Sequence, residues 1–235
     1  MKMKHILIFF ISISFTSSFS VMAQEENTAV TDTITKNEKY GLRVGADISK
    51  PIRSFFEDDY TGFEIMADFR VTKKFYAAIE LGNETKDRFE ENLNSSTNGS
   101  YAKIGFNFNS YNNWLGMNNE ISAGMRYGFS TFKQELLGYT IYTGDDTFPT
   151  TFIENPIEYK GLTAHWAEII MSIKTEIFNN LYLSLNVQLK RKISEDKPEN
   201  FKNLFIPGFN RTYDFSEFGV GYGYTLSYLI PIFKK

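Results

Sequence analysis

Leu181-Tyr-Leu-Ser-Leu-Asn-Val-Gln-Leu-Lys190 decides the fold, because Leu181, Leu183, Leu185, Val187 and Leu189 take every second position and small or polar residues take most of the rest. A period of two places those five apolar side chains on one face of an extended strand. Leu42, Val44, Ala46 and Ile48 repeat the pattern near the start, and comparable stretches recur to the end of the chain. Eight strands are expected, at approximately 40–50, 61–71, 75–82, 100–109, 119–131, 162–177, 181–193 and 215–230. Thr72-Lys73-Lys74 and Phe178-Asn179-Asn180 make short connections, and a somewhat longer turn runs from Tyr111 to Met117. The connections near 51–60, 83–99, 132–161 and 194–214 are long, polar and rich in Asp, Glu, Asn and Thr. Short turns alternating with long loops describe an all-β protein, an eight-stranded antiparallel up-and-down transmembrane β-barrel with both termini on the short-turn side.

Residues 1–23 carry Lys2 and Lys4, then an apolar run from Ile6, then Val21-Met22-Ala23. That is the form of a cleaved secretion signal, too short in its apolar core to span as a helix. Residues 24–39 are polar and aperiodic and read as a flexible periplasmic lead-in, leaving 40–235 for the barrel. Loss of Lys2 and Lys4 takes the formal charge from −3 to about −5, which argues against nucleic acid as a partner. The absence of cysteine excludes disulfides and an acylated-cysteine anchor. After residue 23 no apolar run approaches the ~20 residues of a spanning helix, so a closed barrel is the remaining way into a bilayer.

Alternation alone does not say which face is outside, since a lipocalin-like soluble carrier alternates too. Gly45, Gly105, Gly124, Gly128, Gly219, Gly221 and Gly223 share the charged face, as a crowded interior requires. The opposite face carries Phe63, Ile65, Phe69, Ile104, Phe106, Met125, Tyr127, Phe129, Val220, Tyr222 and Tyr224, which suits acyl chains. Aromatics near strand ends, with Trp114 in a turn, fit interfacial girdles. The aromatic-rich final strand, Tyr224 to Phe233, resembles the terminal signal read by barrel-assembly machinery.

By parity the inward face holds Arg43, Arg70, Lys103, Arg126, Lys174 and Lys190 against Asp47, Glu64, Asp68, Glu80, Glu120, Glu168 and Glu176. An eight-stranded barrel is just wide enough to be filled by side chains, and an unpaired charge there costs several kcal/mol. A plugged ionic network is therefore expected, in which removal of a member such as Arg126 destabilises more than removal of a loop charge. In the sixth strand Trp166 and Ile170 share the face of Glu168 and Lys174, which suggests a bulge.

No catalytic, cofactor-binding or metal-ligating constellation emerges. His165 is the sole histidine after residue 23 and falls near the outer rim, where some small barrels remodel lipid A with a His and a Ser, but no serine lies two residues away. A narrow channel and a lipid A-modifying enzyme are the competing functions. All four long loops lean acidic, with Glu57, Asp58 and Asp59, then Glu84, Asp87, Glu90 and Glu91, then Asp145, Asp146, Glu154 and Glu158, then Glu195, Asp196, Glu199 and Asp214. Such loops suit solvation or a surface partner. Outer-membrane lipid and lipopolysaccharide are the expected surroundings.

The run Tyr40 to Glu64, the stretch Tyr76-Ala-Ala-Ile-Glu-Leu-Gly-Asn-Glu84 and the closing Tyr224 to Phe233 together resemble an uncharacterised outer-membrane β-barrel family of Bacteroidota, a domain of unknown function. In size and loop plan the chain is similar to OmpX/OmpA-type barrels. That resemblance implies a structural or surface-interaction role and supplies no substrate.

Overall fold

The computed structural model describes residues 39–111, 118–141, 152–199, 202–213 and 215–234. The expected secretion signal, the lead-in before Lys39, Trp114, Asp145, Asp146 and Asp214 lie outside them. The elements in chain order are β1 (Lys39–Asp47), α1 (Ser49–Phe56), β2 (Tyr60–Arg70), β3 (Phe75–Glu90), β4 (Leu93–Asn109), β5 (Glu120–Thr140), β6 (Phe152–Ile153), β7 (Ile157–Phe178), β8 (Leu181–Glu195), β9 (Phe205–Ile206), β10 (Asn210–Arg211) and β11 (Phe218–Lys234). β1, β2, β3, β4, β5, β7, β8 and β11 pair in that order, every pair antiparallel, and β11 returns to β1. The described residues thus form an all-β ring of eight strands with one helix. Closure removes the two edges an open sheet would present.

Alternation holds along the walls. On β5, Glu120, Ser122, Gly124, Arg126, Gly128, Ser130 and Phe132 are buried while their neighbours are exposed. The outer face is a belt of large apolar residues, with Ile104 63 % and Val220 74 % exposed. β7 turns into β8 through Asn179 and Asn180, and Asn180 takes φ 65°, a left-handed conformation that asparagine tolerates.

Three of the expected long loops are largely ordered structure. Residues 83–99 continue β3 and β4 as one hairpin that turns at Glu91-Asn92, because burial still alternates (Ser95, Thr97 and Gly99 inward) where the outward residues Asn94, Ser96 and Asn98 have become polar. Residues 132–140 and 157–161 are the upper parts of β5 and β7, with β6 beside them. Residues 51–60 hold most of α1, where Pro51 has no N–H for a ladder but suits a first helical turn. The fourth, 194–214, folds into the ring: Pro207 and Gly208 connect β9 to Phe209 and β10, and Phe205, Ile206 and Phe209 are buried.

Trp166 and Ile170 face inward together with Glu168 and Lys174, in regular register with β5. Against β8 the register does slip, between His165 and Trp166, where Ile193 has no partner, but the inward parity of β7 runs through it unchanged and the interior carries an apolar layer as well as charges. Tyr101, Phe132, Leu162, Ala164 and Trp166 of the wall pack with Ile206 and Phe209 of the hairpin, and the Trp166 and Phe209 rings meet edge-on at 6.1 Å. Gly128 makes the layer fit, because a Cβ there would sit 2.1 Å from the Trp166 ring. Gly208 is required twice, by its φ of 81° and by the Tyr101 ring 2.6 Å from where a Cβ would stand.

Candidate functional site

Alternation within each strand sets which side chains enter the lumen, and register across strands sets which of them meet. Near the short-turn end, Arg43 of β1 reaches Asp68 of β2 at 2.8 Å and Glu120 of β5 at 2.8 Å. Lys174 of β7 approaches the same two carboxylates, at 2.8 and 3.7 Å. The guanidinium lies between the Tyr76 and Tyr182 rings, 5.1 and 5.0 Å from their centroids. Two cations, two anions and two aromatic plates close this level of the barrel, and all six residues are buried.

A second cluster lies above it. Lys103 of β4 bridges Glu80 at 2.6 Å and Glu64 at 3.1 Å, Arg126 binds Glu80 at 2.9 Å, and the Tyr101 hydroxyl donates to Glu64 at 2.6 Å. Glu84, counted by sequence among the loop acids, is fully buried on the inner face of β3. It accepts from Lys50 of α1 at 2.5 Å, from the Tyr60 hydroxyl at 2.6 Å and from the Gly208 N–H at 2.6 Å, so it ties helix, wall and inserted hairpin together. Gln134 anchors the hairpin's approach by donating to the Lys202 carbonyl at 3.0 Å and accepting from the Leu204 N–H at 3.3 Å.

The remaining members of the expected network are placed differently. Asp47 is buried but accepts backbone N–H groups, from Ser49 at 2.8 Å and Tyr224 at 3.2 Å, where β1 gives way to α1. Lys190 donates to the Gly208 carbonyl at 2.7 Å. Glu168, its cross-strand neighbour, receives Trp166 Nε1 at 3.3 Å and leaves Oε1 without a hydrogen bond. Arg70 and Glu176 are half-buried at the short-turn end, Arg70 over the Tyr40 ring at 4.7 Å and Glu176 accepting from Asn118 at 2.9 Å. Lys50, Glu84 and Gln134 are among the interior polar residues absent from the expected set. Continued alternation through Gly82, Glu84 and Lys86 was the available signal for Glu84, while Lys50 sits on a helix whose position strand patterning does not give.

His165 projects from the outer face of β7, its Nδ1 2.8 Å from the Tyr127 hydroxyl and its ring 4.9 Å from that of Phe129. Both partners come from β5, so local sequence spacing could not have named them. Among the described residues no group of three or more His, Cys, Asp or Glu is arranged to hold a metal ion. No helix among the described residues is long and apolar enough to cross a membrane, which says nothing of the strands.

No curated protein and no solved structure matches the chain. A family model matches residues 6–235, and by it the chain belongs to the DUF6048 family, a domain of unknown function.

Proposed function

We propose that this protein is an outer-membrane barrel with a lumen closed by its own side chains, acting at the cell surface as a structural or binding element. The observation that carries this is the pairing of an outward apolar belt with an inward ionic core. In water such a belt would be a large exposed apolar patch, while in a bilayer it is the solvated surface. On β5 the belt runs from Ile121 to Phe129. Nine strand residues tilted by about 40° rise roughly 20 Å, close to the ~25 Å apolar band of such barrels. The short-turn end then faces the periplasm and the long-loop end the exterior, with outer-membrane lipid and lipopolysaccharide around the wall and assembly machinery needed for insertion.

The surface role rests on what stands above the belt. The upper parts of β3, β4, β5 and β7 form a polar sheet, and β3 runs on to Glu90 after its ladder with β2 stops at the Tyr60–Lys86 pair. The Asp87 N–H still donates to the Asp59 carbonyl at 2.8 Å, so the edge left open to a partner is the short run 88–90. A channel is disfavoured by the two stacked ionic clusters and the inserted hairpin.

Gel migration of the outer-membrane fraction, boiled and unboiled in SDS, tests the barrel, and planar-bilayer recording tests closure. A heat-dependent shift with no discrete conductance is expected. Recovery in the soluble periplasm without a shift would refute the membrane reading, and reproducible conductance steps would refute the closed lumen.

A further inference from the structure

The wall of the ring is incomplete beside α1. β1 pairs with β11 only as far as Asp47 and Thr225, and with β2 only as far as Ala46 and Ile65, after which the chain turns into α1. The edge of β2 from Tyr60 to Glu64 and that of β11 from Phe218 to Tyr224 therefore have no strand between them. α1 fills the gap unevenly. Toward β2, Ser54 Oγ accepts the Gly62 N–H at 3.0 Å and Arg53 stacks on Tyr60 at 3.9 Å. Toward β11, Ile48 N–H donates to the Tyr224 carbonyl at 2.7 Å, Asp47 takes the Tyr224 N–H, and Asn210 reaches the Val220 carbonyl at 3.3 Å. Ladder alternation sends the N–H and C=O of Tyr222 to that same side, between the two capped residues. They face a cleft of about 200 Å³.

An open strand edge at the depth of the belt is tolerated only where it meets water or polar matter. The outer lip of the cleft is Val220 and Tyr222, both exposed, and its floor includes Lys190, which is 3 % exposed. Lys50 and Lys103, which also border it, are engaged by Glu84 and by Glu64 and Glu80. Lys190 makes no ion pair among the described residues, its Nζ meeting a carbonyl instead. Gly221 keeps the way to it open, since a Cβ there would lie 3.1 Å from Nζ. The level is apt as well: Val220 pairs with Leu189, and the next outward residue of β8 is Arg191, so the cleft lies at the upper boundary of the belt.

We propose that this cleft is a lateral binding site for an amphiphile with a phosphate headgroup, the phosphate resting on Lys190 and the Tyr222 N–H while the acyl chains stay on the outer wall beside Val220 and Tyr222. Asp47, Glu64 and Glu84 border the cleft too, but each is already engaged by the N–H, O–H or ammonium donors described above. A buried cation with spare donors, reached through a gap whose lip is apolar, selects an anion that carries chains. The site rests on the membrane reading, because only a bilayer presents such a ligand at that height.

The experiment uses the full chain folded in dodecyl maltoside, titrated calorimetrically with dioctanoyl phosphatidate, with dioctanoylglycerol and with inorganic phosphate. Saturable binding of the phosphatidate alone is expected. Lys190→Met, and Gly221→Leu which fills the cleft without removing charge, should each weaken it at least about tenfold, as loss of a charge-assisted contact does. Lys133→Met, on the exposed face of β5, should leave it unchanged. Equal binding of the diglyceride would mean wall lipid only, and equal binding of inorganic phosphate a free-anion site; either overturns the proposal. So would variants that keep the heat shift and bind as the parent does. If Lys190→Met does not fold, Gly221→Leu and the three ligands still decide. Absence of a heat shift in the parent would instead sink the barrel itself.

Discussion

Replacing Arg43 by methionine removes the guanidinium that hydrogen-bonds both Asp68 and Glu120. Lys174 then faces two buried carboxylates, from 2.8 and 3.7 Å, and cannot neutralise both. Two unit charges about 4 Å apart at an effective dielectric of about 20 interact by about 4 kcal/mol. Removing one partner of a buried pair costs about 3–5 kcal/mol, chiefly through the charge left behind. Arg43→Met should therefore lower unfolding stability by about 4 kcal/mol, or roughly a thousandfold in the equilibrium constant. Methionine keeps most of the volume, so packing between Tyr76 and Tyr182 is a lesser loss. The measurement is a urea titration of protein folded in phosphocholine vesicles, followed by circular dichroism. Adding Glu120→Gln to Arg43→Met leaves Lys174 and Asp68 as a one-to-one pair and should recover about 2 kcal/mol, a coupling that lost packing cannot produce. Arg126→Met should cost less than Arg43→Met, because Arg126 pairs with the single carboxylate of Glu80, which keeps Lys103 at 2.6 Å, whereas Arg43 pairs with two. Lys133→Met, whose pair with Glu158 is solvent-exposed, should cost about 0–1 kcal/mol. A double variant no better than Arg43→Met, or an Arg43→Met no worse than Lys133→Met, would refute the claim that buried charge balance holds this end of the barrel shut.

Gly128→Val would drive a branched side chain into the Trp166 ring and should cost about 1–3 kcal/mol in the same titration. Trp166→Leu introduced alongside it should return part of that loss, and no rescue would mean that the strand backbone, not the ring, sets the requirement. Asp196, beyond the end of β8, accepts the Thr163 hydroxyl at 2.6 Å and the Thr163 N–H at 2.9 Å. Those bonds, the hydroxyl first, hold its carboxyl below the usual aspartate range. A lowered folded value means that the clasp's contribution is present above the ordinary aspartate value and is lost as pH falls through the folded one. The Thr163 amide resonance should therefore titrate with a midpoint below that of a free aspartate, and a midpoint at or above it would discard the clasp.

Polarity misleads at 83–99 because a strand needs an apolar outward face only where it meets apolar surroundings. Past Leu81 the outward residues are Asn83, Thr85 and Asp87, yet the inward series Gly82, Glu84, Lys86 keeps its period and the ladder with β4 runs to Glu90 and Leu93. The ring and most of the inward charges could be read because period two is local. Pairing could not: Arg43 finds Glu120 77 residues away, and Lys174 finds Asp68 across 106. The inserted hairpin had a local signal, Phe205, Ile206 and Phe209 around a Pro-Gly pair, inside a segment otherwise judged by its Asp and Glu.

The gap beside α1 is the opposite case. The brevity of β1 is visible, since after Ile48 the sequence Ser49-Lys50-Pro51 breaks alternation and Pro51 cannot donate to a ladder. What the brevity leaves open depends on how far β2 and β11 continue beyond it, and that is fixed by pairing on their other sides, with β3 and β8. A strand that stops early in an open sheet merely ends the sheet. In a closed ring its two neighbours are held in place by the rest of the circuit, so early termination makes a window with polar edges at a definite height. Side chains then divide the window: Ser54 and Arg53 close the β2 side, Asp47 and Asn210 cap parts of the β11 side, and Gly219, Gly221 and Gly223 keep the inner face of that edge bare. Three glycines at alternate positions thin the wall where β11 has no strand on its β1 side, and the same thinning that packs Phe209 and Lys190 against β11 leaves the cleft its passage from the belt to the lumen.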